Sequence, residues 1–223
     1  MIQPGRIRTV LFDLDGTLVN TAPDLVNALN AVLEKHQHPT VSLSNVAPYI
    51  STGAAGMLGF ALGNIPEQYK QQLVTELVDH YHLNIANHSH LFPGMEMVLQ
   101  ELEQHNLKWG VVTNKITRLT QSLLEKLDLH KRAACIISGD TTNYSKPHPA
   151  PLLEACRITA SSPSHCVYIG DARTDIEAAQ RAMMPSLAAA YGFIQADDSP
   201  QSWDANAVVD TANQILDWVM QHV

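Results

Sequence analysis

The sequence predicts an α/β protein: a parallel sheet with helices on both faces, interrupted near its start by an inserted α-helical cap subdomain. Three observations predict it. Short apolar runs rich in β-formers recur along the chain, helical patterns fill the gaps from about residue 91 onward, and a 72-residue segment, 19–90, breaks that rhythm. Alternating strand and helix is the pattern of a parallel sheet covered on both faces. A segment of 72 residues is too long for a simple crossover, so it reads as a subdomain.

The first run, 8–14, reads as a buried strand. Within 19–90 the strongest helical candidates are 24–35 and 66–82. Pro93 suits an early helix position, opening a helix over 93–105. Strand 108–113 (KWGVVT) follows, then helix 116–127, strand 134–138 (ACIIS) and helix 149–158. Strand 166–170 (CVYIG) leads into a helix over 175–183, with Asp175 before apolar residues at helical spacing. Strands 186–190 and 207–209 and a helix over 211–221 complete the chain. The expected organisation is therefore a core of 1–18 and 91–223 with a helical cap of 19–90.

Composition narrows the function. The chain has 223 residues, with 14 Lys+Arg against 22 Asp+Glu and a formal charge of −8. It has no block of basic residues, which argues against a nucleic-acid or anionic-membrane binder. The 45% hydrophobic content can fill a sizeable core, whereas the 16% charged content is low for a soluble domain. The shortage is local, since residues 36–66 contain no Asp, Glu, Lys or Arg. No apolar run approaches the ~18 residues of a membrane span. Arg6 and Arg8 lead straight into Thr9-Val10-Leu11-Phe12, and Asp13 ends that run too early for a secretory signal. Cys135, Cys156 and Cys166 form no CxxC pair, so a reduced, cytoplasmic protein is expected.

Chemistry gathers at the strand ends, where open parallel sheets bind ligands. The first strand runs into Asp13-Leu14-Asp15-Gly16-Thr17, and strand alternation places Asp13 and Asp15 on one side. Two carboxylates so close need a cation or a shared proton. Thr113-Asn114 closes the second strand with a hydroxyl and an amide suited to phosphate oxygens. Lys146 lies in Ser145-Lys146-Pro147, where a rigid turn could aim its ammonium inward. The fourth strand ends in Gly170-Asp171-Ala172-Arg173-Thr174-Asp175, whose two carboxylates fit oxygen ligation of Mg²⁺. Taken singly, Thr-Asn is a common helix cap and Lys-Pro a common surface turn.

In this order, DLDGT at 13–17, VVTN at 111–114, SKP at 145–147 and GDARTD at 170–175 resemble the haloacid dehalogenase-like hydrolase superfamily over nearly the whole chain. The resemblance implies a Rossmann-like core and an Mg²⁺-dependent phosphatase acting on a small phosphomonoester. It makes Asp13 the nucleophile, forming an aspartyl phosphate, and Asp15 the general acid and then base. It assigns Thr113, Asn114 and Lys146 to the phosphoryl oxygens. Mg²⁺ would be held by Asp13, the main-chain carbonyl of Asp15 and Asp171, with Asp175 behind them. Asp15 separates this chain from the dehalogenase branch. The segment 19–90 has only Lys35 and Lys70 as cations, which suits neither the phosphonate hydrolases nor the arginine-bearing mutases.

The opening FDLDGTLVNTAPDL is similar to the phosphoglycolate phosphatase group, with Asn20 at a position where aspartate is frequent. Segments 109–115, 145–156 and 191–210 are closer to the N-acetylmuramic acid 6-phosphate phosphatases, whose frequent cap arginine is replaced by Ala55. A sugar phosphate of that kind is therefore the favoured substrate and 2-phosphoglycolate the alternative. The neutral stretch 36–66 is expected to face the leaving group. A non-catalytic phosphometabolite-binding regulator is the reading from outside the enzymes, and four retained catalytic positions weigh against it. His80, His82, His88 and His90 suggest a helix end and polar hinge more than a second metal site, because 80 and 82 do not share a helix face. Arg118 and Arg173 are expected on the surface, and Trp109, Trp203 and Trp218 in or beside the core.

Overall fold

The computed structural model describes residues 7–223; residues 1–6, which include Arg6 and the start of the predicted core segment 1–18, lie outside the described residues. Strand β1 (Thr9–Phe12) is buried at every position and occupies the middle of a sheet. Its neighbours are β4 (Lys108–Val112) and β6 (Cys166–Gly170). Outside these lie β5 (Ile136–Ile137) on one edge and β7 (Ser186–Ala189) then β8 (Ala207–Val209) on the other. All five pairings are parallel, so the α/β prediction holds, although the predicted strand 134–138 pairs over only two residues.

Side-chain alternation along β1 divides the core into two layers. Val10 and Phe12 join residues of α5 (Met95–Gln104), α6 (Thr117–Lys126) and α9 (Ala212–Met220) on one face. Leu11 points the other way, into a cluster built from α7 (Ala150–Thr159) and α8 (Arg173–Arg181). Each such buried aliphatic or aromatic side chain contributes about 1.5–3 kcal/mol. Register carries the layers to the strand ends: Phe12 stands beside Val111 and Ile169, so Asp13 comes level with Val112 and Gly170, the last residues of β4 and β6.

After β1 the chain forms a two-residue strand β2 (Val19–Asn20), paired antiparallel with β3 (His90–Leu91). Between them lie α1 (Ala22–Lys35), α2 (Leu43–Val46), a 3₁₀ turn (Ala47–Thr52), α3 (Gly53–Leu62) and α4 (Glu67–Leu83). Leu25, Leu29, Val32 and Leu33 form the buried stripe of α1, while Leu73, Leu77 and Tyr81 form that of α4. These two helices pack on each other, and α3 packs on α4. Pro23 and Asp24 open α1, and the Asn20 side-chain oxygen accepts the Ala22 N–H at 3.3 Å, so Asn20 serves local capping.

Asp24 is buried and also ties the two crossings of this unit together. Its carboxylate accepts the main-chain N–H groups of His88 and Ser89 and, at 2.6 Å, the Ser89 hydroxyl. Among the described residues no helix is long and apolar enough to cross a membrane.

Candidate active site

Asp13 follows the last residue of β1, and its N–H donates to the Ile169 carbonyl at 2.8 Å, fixing it at the centre of the strand ends. The Lys146 ammonium lies 2.8 Å from Asp13 Oδ1 and 2.7 Å from Asp175 Oδ1. It also donates to the Tyr168 hydroxyl at 2.7 Å and the Val112 carbonyl at 3.1 Å. Burial opposes charge on Lys146, but the two carboxylates outweigh it and hold its pKa above the ordinary lysine range. The Asn114 side chain bonds the Lys146 main chain in both directions, at 3.0 and 2.9 Å. Its amide therefore braces the lysine loop. The buried Thr113 hydroxyl lines the same cavity and accepts the Lys115 N–H.

Asp15 has its own cation. Lys115 Nζ lies 2.9 and 3.0 Å from its two carboxylate oxygens, and the Thr21 hydroxyl donates to Oδ1 at 2.6 Å. The two motif carboxylates thus relieve their repulsion through separate ammonium groups. Tyr81 of α4 covers Lys115, whose ammonium lies 4.5 Å from the ring centroid. The fully buried Tyr81 hydroxyl has no hydrogen-bond partner among the described residues.

Asp171 completes the acidic side. It accepts the Thr17 hydroxyl at 3.0 Å and the Phe193 N–H at 2.8 Å. Glycine backbones wall it closely: a Cβ at Gly16, where φ is +87°, would stand 2.1 Å from Asp171 Oδ2, and one at Gly192 would stand 2.2 Å from Asp171 Cβ. Asp175 reaches back from the first turn of α8 to accept the Ala172 N–H at 3.0 Å, which pins its other oxygen toward Lys146. The helix begins at Arg173, two residues before the predicted start, because Asp175 caps from inside the helix.

Asp13, Asp171 and Asp175 are all buried and offer oxygen atoms within 4.8 Å of one another. Burial is the main cause that pushes the Asp13 carboxyl up, to about 6; Lys146 opposes the rise and the Asp175 charge adds to it. Burial, then the Asp13 and Asp175 charges, push Asp171 well above the usual carboxylate range. Four carboxylates and two ammonium groups leave the site with a formal charge of −2 when all are ionised. An all-oxygen donor set short of two positive charges suits a hard divalent cation.

Above this floor lies a cavity of about 370 Å³. Ile50, Ser51, Thr52, Gly53, Ala54 and Met57, all from the neutral stretch 36–66, line it. Leu25, Leu77, Val78 and Tyr81 of α1 and α4 close the rest of the roof. Arg118 does not line the cavity; it pairs with Asp79 of α4 on the surface at 2.7 Å. Arg173 pairs with Asp198.

Lys115, Tyr81, Thr21, Tyr168 and the pair Gly192-Phe193 are the site residues that sequence reasoning passed over. Lys115 had a readable signal, since it directly follows Thr113-Asn114 at a ligand-edge strand end. Tyr81 repeats Leu73 and Leu77 at a spacing of four and looks like ordinary helix core until its hydroxyl is placed. The others depend on long-range pairing.

The fold and this cluster define a class of enzyme. A family model described as haloacid dehalogenase-like hydrolase matches residues 10–189, and the chain belongs to that family. Within it the chain groups with phosphatases. A phosphoglycolate phosphatase of Xanthomonas campestris pv. campestris is 41% identical over 93% of this chain and 94% of its own. An N-acetylmuramic acid 6-phosphate phosphatase of Pseudomonas putida is 39% identical over 92% of each chain. The crystal structure of a predicted phosphoglycolate phosphatase from Haemophilus somnus superposes with a TM-score of 0.86 at 26% identity, covering 96% of this chain and 98% of that one.

Proposed function

We propose that the chain is an Mg²⁺-dependent phosphatase that hydrolyses a small phosphomonoester through a phosphorylated Asp13. The observation that carries this reading is Lys146, held between Asp13 and Asp175 beside a buried three-carboxylate cluster that lacks two positive charges. Asp13, the main-chain carbonyl of Asp15 and Asp171 are the proposed Mg²⁺ ligands, with Asp175 behind them orienting Lys146. When bound, Mg²⁺ supplies the charge that lets an anionic carboxylate approach a phosphate dianion.

In the first step an Asp13 oxygen bonds to phosphorus while the ester P–O bond breaks. For this step Asp15 has to turn from its ion pair with Lys115 and enter protonated, and the departing alkoxide takes that proton. In the second step Asp15 takes a proton from water, whose oxygen bonds to phosphorus. The Asp13–phosphorus bond breaks, which releases inorganic phosphate and restores the enzyme. Thr113, Asn114 and Lys146 bind the phosphoryl oxygens, and the Asn114 side chain also holds the Lys146 main chain at its post. Segment 19–90 acts as the cap over the core of 1–18 and 91–223. Its roof over the strand ends excludes bulk water when closed. The free Cys135, Cys156 and Cys166 accord with a reducing, cytoplasmic setting.

For substrate we favour N-acetylmuramic acid 6-phosphate or a related sugar phosphate. The neutral, partly hydroxylated roof supports it, as does the Pseudomonas putida relative. The Xanthomonas campestris relative supports a second reading, 2-phosphoglycolate. Specificity constants for both compounds, measured with Mg²⁺, decide between them: the sugar phosphate is expected to be the better substrate, and a higher value for phosphoglycolate reverses the choice. Asp13→Asn is expected to abolish turnover of both compounds. Retained activity in that variant removes the nucleophile assignment.

A further inference from the structure

Two cations line the cavity, and their surroundings differ. Lys146 is shared between two carboxylates, Asp13 and Asp175, with the Tyr168 hydroxyl and the Val112 carbonyl beside them, which keeps it on the phosphoryl side of the cavity. Lys115 has one ionic partner, Asp15, and otherwise meets Tyr81, whose ring it faces and whose hydroxyl oxygen also favours its charge. Both of its ionic contacts go to that single carboxylate, so an incoming anion has one competitor to displace. Beside it sits the Tyr81 hydroxyl, a buried donor with no partner among the described residues. The remaining roof residues are neutral.

We infer that Lys115, assisted by Tyr81, is a specificity residue that recognises a carboxylate on the leaving group of the substrate. The inference rests on the phosphatase reading, in which Asp15 faces the departing oxygen, and it deepens that reading by naming the substrate class. Since Lys115 Nζ lies 2.9 Å from Asp15, it stands on the leaving-group side of the phosphoryl site. An incoming carboxylate takes over the ammonium and the Tyr81 O–H, and the Asp15 oxygens turn from Lys115 toward the ester oxygen. A neutral leaving group offers nothing to exchange, so Lys115 stays on Asp15 and the proton donor stays engaged. Both candidate leaving groups, glycolate and N-acetylmuramic acid, carry a carboxylate. This gives the cavity a shared recognition element that does not require a guanidinium.

Matched substrate pairs test the inference. Wild-type enzyme is expected to prefer N-acetylmuramic acid 6-phosphate over N-acetylglucosamine 6-phosphate, which lacks the acid. It is also expected to prefer 2-phosphoglycolate over 2-hydroxyethyl phosphate. A charge-assisted contact predicts about 10- to 100-fold in kcat/KM within a pair. Lys115→Met is expected to bring that ratio close to one, mainly through KM for the acid, while Lys115→Arg retains most of it. Tyr81→Phe, which removes only the unpartnered hydroxyl, is expected to lower the ratio several-fold. A wild-type enzyme indifferent to the acid overturns the inference. So does a Lys115→Met variant that slows both members of a pair equally, and so does an unchanged ratio in Tyr81→Phe should Lys115→Met not fold. Failure of the underlying phosphatase reading shows separately, as Asp13→Asn that still turns over p-nitrophenyl phosphate.

Discussion

Lys146 Nζ stands 2.8 Å from Asp13 Oδ1, an ion pair that joins the end of the first strand to a loop 133 residues further along the chain. It is buried, so its removal leaves uncompensated carboxylates in a medium that tolerates them poorly. Lys146→Met is therefore expected to cost about 3–5 kcal/mol of stability without metal, read by urea denaturation. Turnover of any phosphomonoester is expected to fall by at least about 10³-fold.

The acidic cluster sets the pH dependence. Asp13 rises from 3.8 to about 6 in the folded chain, and Asp171 rises too. The folded state then holds protons that the unfolded state has released, so these groups stabilise the metal-free protein in acid. For Asp13 that contribution is lost as the pH climbs from about 4 through 6, and Asp171 acts in the same direction. The proposed Mg²⁺ would need the ionised forms, so its stabilising effect is expected to have the opposite slope. The increase in Tm caused by Mg²⁺ is expected to be small at pH 5 and large at pH 8. At 100 times Kd it amounts to about 2.7 kcal/mol, reversed by chelation. Equal shifts at both pH values count against this assignment.

Asp15 is proposed to protonate the leaving oxygen, and leaving groups differ in how much they need it. Asp15→Asn is expected to slow hydrolysis of an alkyl phosphate by about 10²–10⁴-fold. It should slow p-nitrophenyl phosphate much less, because a stable phenolate departs unaided. Steady-state rates on the two substrate types measure the difference.

Asp24 does not line the cavity, yet it satisfies the main-chain N–H groups of His88 and Ser89 and the Ser89 hydroxyl. Asp24→Ala strands these buried donors and is expected to lower stability by about 2–3 kcal/mol. Asp24→Asn, which retains an acceptor, is expected to lose less. Thermal melts of the two variants rank them.

Much of this site could be read from one dimension because its chemistry sits at strand ends. An apolar run that stops at a carboxylate announces both the strand and the residue it delivers, as Val10-Leu11-Phe12-Asp13 and Val167-Tyr168-Ile169-Gly170-Asp171 do. The partners of those residues could not be read in the same way. Lys115 was in view only as the neighbour of Asn114, and its attachment to Asp15 spans 100 residues of sequence. Tyr81 gains its meaning from helix packing that swings α4 over the strand ends. Within the helical unit, α3 escaped notice because GAAGMLGFAL mixes glycine and small residues without an apolar stripe, and it is held by contact with α4. The two-residue strands β2 and β3 are shorter than any periodicity can reveal.

That pair of small strands has a further consequence. Val19 stands beside Leu91 and Asn20 beside His90, so the helical unit departs from and rejoins the sheet at one doorway. The entropic cost of closing the chain at that doorway grows only logarithmically with the length of chain beyond it. A change in the size of the helical unit therefore costs the sheet little, which leaves the roof freer to vary than the floor. A lineage can then change its diet without rebuilding its chemistry.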